Sequence, residues 1–214
     1  MAVTEYLPAL ALGYLLGSIP FGLLLAAMLG KGDLRTIGSG NIGATNALRA
    51  GGKGLGAAVL FLDALKGAAA VLIARHFLPD GPMEHGAEIF AATGAFVGHL
   101  YPVWLKFKGG KGVATFFGIL IALLPVAALV AALVWVGLFL ITRISSVGGL
   151  GSAISAPMTA AFMGAEPYFG MLLGFTLLIL WKHRDNIRRL RAGEEKRFSA
   201  RREETRATGD QRPS

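Results

Sequence analysis

The longest uncharged stretch of the chain covers residues 113–142 and reads VATFFGILIALLPVAALVAALVWVGLFLIT. A single helix of this length would be about 45 Å long, whereas the hydrocarbon core of a bilayer is about 30 Å thick. Pro125 lies inside the stretch, and proline disrupts a helix because it lacks a backbone N–H. We therefore predict two short, tilted helices that turn near Leu124 and Pro125. This turn decides how often the chain crosses a membrane.

The composition of the whole chain is that of a membrane protein. Of 214 residues, 54% are hydrophobic and only 16% are charged, and the mean hydropathy is +0.58. Such values fit a multi-spanning protein better than one or two soluble domains. The absence of cysteine excludes disulfides and cysteine-ligated zinc. The net charge of +8 comes from short loops and the C-terminal tail, which favours anionic lipid headgroups over nucleic acid as the partner.

Apolar stretches recur along most of the chain. The first has no basic segment before it and no cleavage site at its end, so we predict a retained helix and not a signal peptide. The fold class predicted is all-α, a polytopic membrane protein with seven transmembrane helices, several of them short or broken. We expect a membrane domain over residues 1–198 and a basic, disordered tail over residues 199–214. The predicted spans are residues 6–30, 54–78, 87–105, two within 113–142, 148–163 and 168–181.

The charges of the loops test this count. With seven crossings, every loop lysine and arginine lies on one face, in loops 31–53, 106–112 and 143–147 and in the tail. On the opposite face, the loops between the spans contain acidic residues and no lysine or arginine. Since basic loops stay in the cytoplasm, this separation predicts an external N-terminus and a cytoplasmic C-terminus. A single crossing at residues 113–142 would move Arg143 and the C-terminal bases outside, against the charge asymmetry.

A polar, glycine-punctuated segment, SGNIGATNALR, occupies residues 39–49. Glycines allow positive φ and can present consecutive N–H groups to an anion, an arrangement called a nest. The short side chains add donors, and Arg49 offers a planar fork suited to phosphate or carboxylate. Glycine, serine and asparagine are also the commonest turn residues. The segment alone therefore leaves an anion site and an ordinary inter-helix loop both open.

Three further polar segments fall on the same predicted face, at residues 106–115, 143–146 and 183–186. Together the four offer nests, cations and hydroxyl donors, which suit phosphate oxyanions. The Gly-Gly-Lys-Gly run lacks the spacing of a Walker A loop, which argues against a nucleotide site. Topology alone would explain lysines in a cytoplasmic loop, and His183 alone could be a histidine at headgroup level. Neither explains the glycine and hydroxyl content beside the cations.

Two charged residues, Asp63 and Lys66, interrupt the second predicted span. A charge at the centre of a membrane helix costs roughly 2.5–3.5 kcal/mol on insertion scales. We therefore expect both side chains to face the bundle interior and pair with each other. The pair is either purely structural or a support for the site.

These segments together resemble the bacterial acyl-phosphate-dependent glycerol-3-phosphate acyltransferases. Residues 39–49 resemble the family's first signature, GHLYPVWLKFKGGKGVAT at residues 98–115 its second, and RISS at residues 143–146 its third. KHRDNIRRL at residues 182–190, with Gly193 and Glu194 beyond it, is similar to the C-terminal block. The run from Asp63 to Gly67 resembles an element of the family's second helix. The matches occur in order, with membrane spans between them.

The resemblance implies an enzyme of the bacterial inner membrane. It would transfer an acyl group from fatty acyl phosphate to the 1-hydroxyl of sn-glycerol 3-phosphate, giving lysophosphatidic acid and phosphate, the first step of phospholipid synthesis. The family pattern assigns four residues to glycerol 3-phosphate: Ser39, Arg49, His183 and Asn186. It assigns Thr45, Lys108 and Ser146, with neighbouring amides, to the acyl-donor phosphate, and Lys111 is a second cation. The complete set expected to bind substrate is Ser39, Gly40, Asn41, Gly43, Thr45, Asn46, Arg49, Lys108, Gly109, Gly110, Lys111, Ser145, Ser146, His183 and Asn186.

The chemistry of acyl transfer needs a base and stabilisation of an oxyanion. His183 is the only conventional base in this set, and its basic neighbours should lower its pKa and keep it neutral. We favour a hypothesis in which acyl phosphate itself removes the hydroxyl proton, while His183 positions substrate and Lys108 stabilises charge. No cofactor or metal is expected, because the site is rich in cations and only Asp63 and Asp185 are nearby carboxylates.

A membrane transporter of phosphorylated metabolites is the alternative, since transporters also use basic loops and broken helices. Transporters usually bind near the midplane between internal repeats, whereas this sequence shows no repeat and places its polar residues at one face. A structural scaffold would leave the four glycine-rich polar segments unexplained. Membrane lipids are expected partners in either case.

Overall fold

A computed structural model of the chain describes residues 3–198, so the predicted tail at 199–214 lies outside the described residues. The described part is built from α-helices joined by short loops, with three 3₁₀ turns at Val3–Tyr6, Leu34–Thr36 and Val103–Leu105. The prediction of an all-α fold is confirmed. The helices are α1 (Leu7–Gly17), α2 (Phe21–Met28), α3 (Ala44–Phe77), α4 (Gly86–Leu100), α5 (Val113–Leu123), α6 (Pro125–Thr142), α7 (Ser145–Phe162), α8 (Glu166–Lys182) and α9 (Arg184–Arg191).

The turn predicted inside residues 113–142 is confirmed. Helix α5 ends at Leu123, Leu124 takes a non-helical conformation (φ −139°, ψ 76°), and α6 begins at Pro125. Proline is favourable at the first position of a helix, because the N–H that it lacks would have no partner there. Helix α7, in contrast, continues through Pro157 to Phe162.

The structure divides one predicted span and adds a short helix before another. The first span is divided into α1 and α2 by a break at residues 18–20. Helix α3 is interrupted at Gly52, whose φ of 82° and ψ of −173° are not helical. Residues 44–51 therefore form a short helix within the predicted loop, and the predicted span begins just after the break.

By length and apolar composition, three described segments qualify as membrane spans: Val3–Met28, Ala44–Phe77 and Pro125–Thr142. Helix α5 is a shorter apolar helix. Large apolar side chains cover the outside of the bundle, with Phe162 at 92% exposure and Ile141 at 81%. An apolar outer surface of this kind fits contact with lipid. Seven crossings and the orientation of the termini stay predictions.

Helices α1 and α4 pack closely through small residues. A Cβ added at Gly13 or Gly17 would lie 2.0 Å from the carbonyl oxygen of Ala91 or Ala95, respectively. Helices α1 and α4 therefore approach each other backbone to backbone, which only glycine permits at these positions. The interior between α4 and α8 is filled by Phe96 stacked on Phe175, with ring centroids 4.2 Å apart.

Candidate active site

The four polar segments meet at one end of the bundle, where α3, α5, α7 and α9 begin. Gly149 in the first turns of α7 lies between two of them, because a Cβ added there would be 3.3 Å from Val113 and 3.7 Å from Nε2 of His183. Thr45 of α3 and Ser145 of α7 line the same cavity. The predicted convergence is therefore present in the structure.

Three backbone amides of the first segment, in which a nest was expected, donate within the loop. The N–H groups of Ser39 and Gly43 donate to the side chains of Asn46 (3.0 Å) and Asn41 (3.2 Å), and the N–H of Gly40 donates to the carbonyl of Ile37 (3.0 Å). These amides stabilise the loop itself. Because a backbone N–H has one proton to donate, they are not presented to an anion.

The amides of the second glycine loop are used in the same way. Gly109 and Gly110 donate to the carbonyls of Leu100 and His99, each at 3.1 Å. The amide donors at this end are instead the first turns of α3, α5, α7 and α9. In the described part of the chain none of these four helices has a side-chain hydrogen bond at its N-cap. Helix N-termini leave N–H groups unpaired and carry partial positive charge, so they suit an anion.

Asn46, expected to bind substrate, holds the first loop together. Its amide nitrogen donates to the carbonyls of Leu34 (2.8 Å), Ile37 (2.9 Å) and Asn41 (2.8 Å). Its oxygen accepts from Ser39, and the residue is only 2% exposed. The structure thus gives Asn46 the role of a framework residue, and direct contact with substrate stays a prediction.

The second loop contributes Lys111 to the cluster. Its ammonium group donates to the side-chain oxygen of Asn186 in α9. The pKa of Lys111 is lowered to about 8, mainly by burial; Glu195 raises it, and Arg189 and, more weakly, Arg49 lower it. Lys111 thus lies within the electrostatic reach of Glu195, Arg189 and Arg49. Lys108, expected to be the main cation of this loop, is exposed at the loop surface, so among the described residues Lys111 makes the contact with α9.

His183 lies at the junction of α8 and α9 and is 3% exposed. Its Nδ1 lies 2.8 Å from the carbonyl oxygen of Ile179. Since a carbonyl only accepts, Nδ1 carries the proton and Nε2 is left as the acceptor. Burial, and secondly the charge of Lys111, lower the pKa of His183 to about 4. The predicted neutral imidazole is confirmed, although burial contributes more than the basic neighbours.

A carboxylate that the sequence analysis did not single out, Glu195, sits at the centre of the cluster. One of its oxygens accepts from Ser146 (2.8 Å) and Asn186 (2.5 Å), and the other accepts from Arg189 (2.6 Å). Burial alone would raise the pKa of Glu195, but these three hydrogen bonds lower it below its usual value. The expectation that Asp63 and Asp185 are the only nearby carboxylates is therefore wrong. The one available signal was that Glu195 directly follows Gly193 and Glu194 of the C-terminal block.

An apolar cavity of about 490 Å³ adjoins the cluster. It lies between α3 and α6, and its polar lining residues are Thr45, Lys53, Arg143 and Ser145. A cavity of this size accommodates a small-molecule ligand or part of a lipid chain. Its lining residues are Ala44, Thr45, Leu48, Lys53, Gly56, Ala57, Leu60, Trp135, Phe139, Arg143, Ser145 and Phe198.

Comparison with known proteins identifies the family. The profile of the family described as glycerol-3-phosphate acyltransferase matches residues 7–193. A glycerol-3-phosphate acyltransferase from Rhodopseudomonas palustris (strain BisB5) is 54% identical over 193 residues, which cover 90% of this chain and 96% of the relative. The chain belongs to the glycerol-3-phosphate acyltransferase family. A glycerol-3-phosphate acyltransferase from Myxococcus xanthus (strain DK1622) is 53% identical over 188 residues, or 87% of this chain and 96% of the relative.

Solved structures of this acyltransferase family share the fold. Crystal structures of PlsY, described as an integral membrane glycerol 3-phosphate acyltransferase, match in two forms. The glycerol 3-phosphate form has a TM-score of 0.84 and 40% identity, covering 96% of this chain and 99% of that one. The lysophosphatidic acid form has a TM-score of 0.81 and 41% identity, covering 91% and 95%. The resemblance drawn from the sequence is confirmed, and so is the prediction of a multi-pass membrane protein.

The site of this acyltransferase is dominated by cations. Between residues 3 and 198, no group of three histidine, cysteine, aspartate or glutamate side chains could hold a metal ion. Arg49 and Lys111 supply positive charge beside the helix N-termini, which is the role that a metal has in many phosphate sites. Activity without added metal stays a prediction.

Proposed function

We propose that this chain transfers the acyl group of a fatty acyl phosphate to the 1-hydroxyl of sn-glycerol 3-phosphate, giving lysophosphatidic acid and phosphate. The observation that carries the proposal is the position of the cationic cluster beside an apolar cavity, at the N-termini of four helices. Both substrates are phosphorylated, which accounts for more than one group of anion-binding donors. One substrate also has a long apolar tail, which accounts for the cavity.

The division of the site between the two substrates follows the family pattern. Arg49, His183 and Asn186, with Ser39, bind glycerol 3-phosphate. Thr45 and Ser145 line the cavity. Together with Ser146, Lys108, Lys111 and amides of the helix N-termini, they bind the phosphate of the acyl donor. The acyl chain then occupies the cavity between α3 and α6, with its reactive carbonyl at the polar end near Thr45 and Ser145.

Proton transfer in this arrangement does not require a protein base. As the 1-hydroxyl oxygen attacks the acyl carbon, the bond between that carbon and the phosphate oxygen breaks, and a phosphate oxygen takes the hydroxyl proton. His183 is neutral, and its Nε2 accepts a hydrogen bond from the 2-hydroxyl of glycerol 3-phosphate, so that the proton of the reacting 1-hydroxyl is left to the phosphate oxygen. Lys111 and the helix N-termini stabilise the negative charge on the tetrahedral oxygen and on the departing phosphate. Glu195 keeps Ser146 and Asn186 in position through its two hydrogen bonds.

We place this site at the cytoplasmic face of the bacterial inner membrane. The cluster lies at the end of the bundle that carries the basic residues of α9. With α1 and α2 as one span and α3 to α8 as six more, the chain crosses seven times, with its N-terminus outside. Glycerol 3-phosphate would then reach the site from the cytoplasm, and the lipid product would leave into the bilayer.

Radiolabelled glycerol 3-phosphate tests the proposal. Purified full-length protein in detergent, with palmitoyl phosphate and excess EDTA, should convert the label into lysophosphatidic acid, and palmitoyl-CoA should not replace the acyl phosphate. The same protein reconstituted in liposomes distinguishes an enzyme from a transporter of phosphorylated metabolites. Uptake of label into the vesicles without any conversion would overturn the enzyme assignment.

A further inference from the structure

Three ionisable side chains form a buried group beneath the second glycine loop. Asp63, Lys66 and His99 are each between 2% and 4% exposed. Nζ of Lys66 lies 2.7 Å from Oδ1 of Asp63, which confirms the predicted ion pair. Nδ1 of His99 faces the same oxygen at 3.7 Å, which is longer than a hydrogen bond, and neither atom has a hydrogen-bond partner among the described residues. One carboxylate therefore lies between a cation and an imidazole, outside the cluster around Lys111 and Asn186.

This group ties together parts of the chain that are distant in sequence. Asp63 and Lys66 belong to α3, whereas His99 lies near the end of α4. Lys66 also donates to the carbonyl of Ile19 (2.8 Å), in the break between α1 and α2. The carboxylate of Asp63 thus packs between His99 of α4 and the ammonium group that holds the break between α1 and α2.

His99 in turn fixes the glycine loop through both its backbone and its ring. The N–H of Gly110 donates to the carbonyl of His99 (3.1 Å), and a Cβ added at Gly109 would lie 2.1 Å from that carbonyl oxygen. A Cβ added at Gly110 would lie 2.2 Å from Nε2 of the imidazole. The loop backbone therefore lies directly on His99, and a shift of the ring would move Gly110 and the lysines that flank the two glycines.

Stability alone does not explain charges in this position. Desolvation of a buried ion pair often cancels its attraction, and apolar replacements of such pairs are frequently neutral or stabilising. Charged residues within membrane helices are costly for the same reason, and they mark functional sites more often than packing. Arg75 and Glu88, near the other end of α4, form a less costly pair, because the Arg75 side chain is 42% exposed.

We propose that Asp63 and His99 are positioning residues: they hold the backbone of Gly109 and Gly110 so that Lys108 and Lys111 reach the phosphorylated substrates. Lys66 neutralises Asp63 inside the bundle. The identity of those substrates rests on the function proposed above, but the hold on the loop does not.

The variants Asp63→Asn and His99→Asn test the proposal in the full chain purified in detergent. Each should raise KM for glycerol 3-phosphate or palmitoyl phosphate about tenfold, at a temperature well below unfolding, with a smaller change in kcat. Glu88→Gln is the matched control. It also neutralises a buried carboxylate with a cationic partner, about 16 Å along α4 from His99. It should lower thermal stability about as much as the test variants do, but leave both KM values unchanged.

Hydrogen–deuterium exchange of residues 108–112 gives a readout that needs no activity. Exchange should accelerate in both test variants and match the unmodified protein in Glu88→Gln. If KM and exchange in both test variants equal those of the control, the positioning role is overturned. If the unmodified protein converts no substrate, the proposed function fails, and exchange alone decides the positioning role. If Asp63→Asn does not accumulate, the double variant Asp63→Asn with Lys66→Met removes both charges together. Its KM values and its exchange are then compared with those of Glu88→Gln.

Discussion

The ammonium group of Lys111 donates a hydrogen bond to the side-chain oxygen of Asn186, although the two residues are 75 positions apart. This contact joins the second glycine loop to α9. Because Asn186 also donates to Glu195 (2.5 Å), it links the cation of the loop to a carboxylate inside the cluster. The site is thus assembled by contacts between its segments as well as by a shared location.

The ionisation of Lys111 should appear in the pH dependence of the reaction. Burial lowers the pKa of Lys111 to about 8, so the side chain is charged below that pH and neutral above it. We expect kcat/KM for the phosphorylated substrates to fall as pH rises through about 8, because kcat/KM reports the ionisation of the free enzyme. In Lys111→Arg the guanidinium stays charged, so the fall near pH 8 should vanish. Lys31→Arg, in an exposed loop, should keep it. If kcat/KM still falls near pH 8 in Lys111→Arg, the ionising group is not Lys111.

Arg49 should not tolerate replacement by lysine. A guanidinium binds phosphate through two parallel hydrogen bonds, whereas an ammonium is a point charge. We expect Arg49→Lys to raise KM for glycerol 3-phosphate by about 10- to 100-fold, measured by initial rates at saturating acyl phosphate. Arg35→Lys is the matched control, because Arg35 pairs with Asp33 at the exposed surface. Unchanged kinetics in Arg49→Lys would remove Arg49 from the site.

Glu195 and its neighbour Glu194 provide a paired test of the carboxylate in the cluster. Glu195 accepts three hydrogen bonds, whereas Glu194 is exposed. A hydrogen bond to a charged group contributes about 1.5–3 kcal/mol, so Glu195→Gln should reduce kcat/KM about tenfold and lower the melting temperature in detergent. Glu194→Gln should leave both quantities unchanged. Equal behaviour of the two variants would show that Glu195 does not organise Ser146 and Asn186.

The cavity between α3 and α6 should determine which acyl chains are accepted. Ala57 lines this cavity, so a phenyl ring in Ala57→Phe would occupy part of it. We expect kcat/KM for palmitoyl phosphate to fall about tenfold relative to octanoyl phosphate, with KM for glycerol 3-phosphate unchanged. Ala57→Ser keeps the cavity nearly empty and should leave the ratio of the two donors as it is. The same loss for both chain lengths would place the acyl chain elsewhere.

Several features were predictable because they depend on short-range chemistry. The turn at Pro125 follows from helix length and the missing N–H of proline. The pairing of Asp63 with Lys66 follows from the cost of an unpaired charge in a membrane. The short helix that begins at Ala44 was missed because the glycines near residue 52 indicate a loop when they are considered alone. In the folded chain, Gly52 does interrupt the helix, but the residues before it are helical as well.

The residues near the site were easier to predict than the hydrogen-bond donors that remain available in it. Glycine-rich segments indicated backbone nests, but the amides of Gly40, Gly109 and Gly110 already donate to carbonyls within the fold. Glu195 stands in a stretch rich in basic residues, where a glutamate is normally a solvated surface charge. Its burial against Ser146, 49 positions away, has no local signature in the sequence.

The sequence by itself determined that the protein is an all-helical membrane protein, and it predicts that the lysines and arginines of its loops lie at one end. Hydropathy and charge are properties of single residues, and they decide which segments enter the bilayer and which stay in water, independently of the detailed packing. Only the tertiary structure decided which polar groups remain available to a substrate. A backbone N–H or an amide side chain can be satisfied by any partner that the fold brings near, and in Asn46, Gly110 and Asn186 those partners come from other parts of the chain.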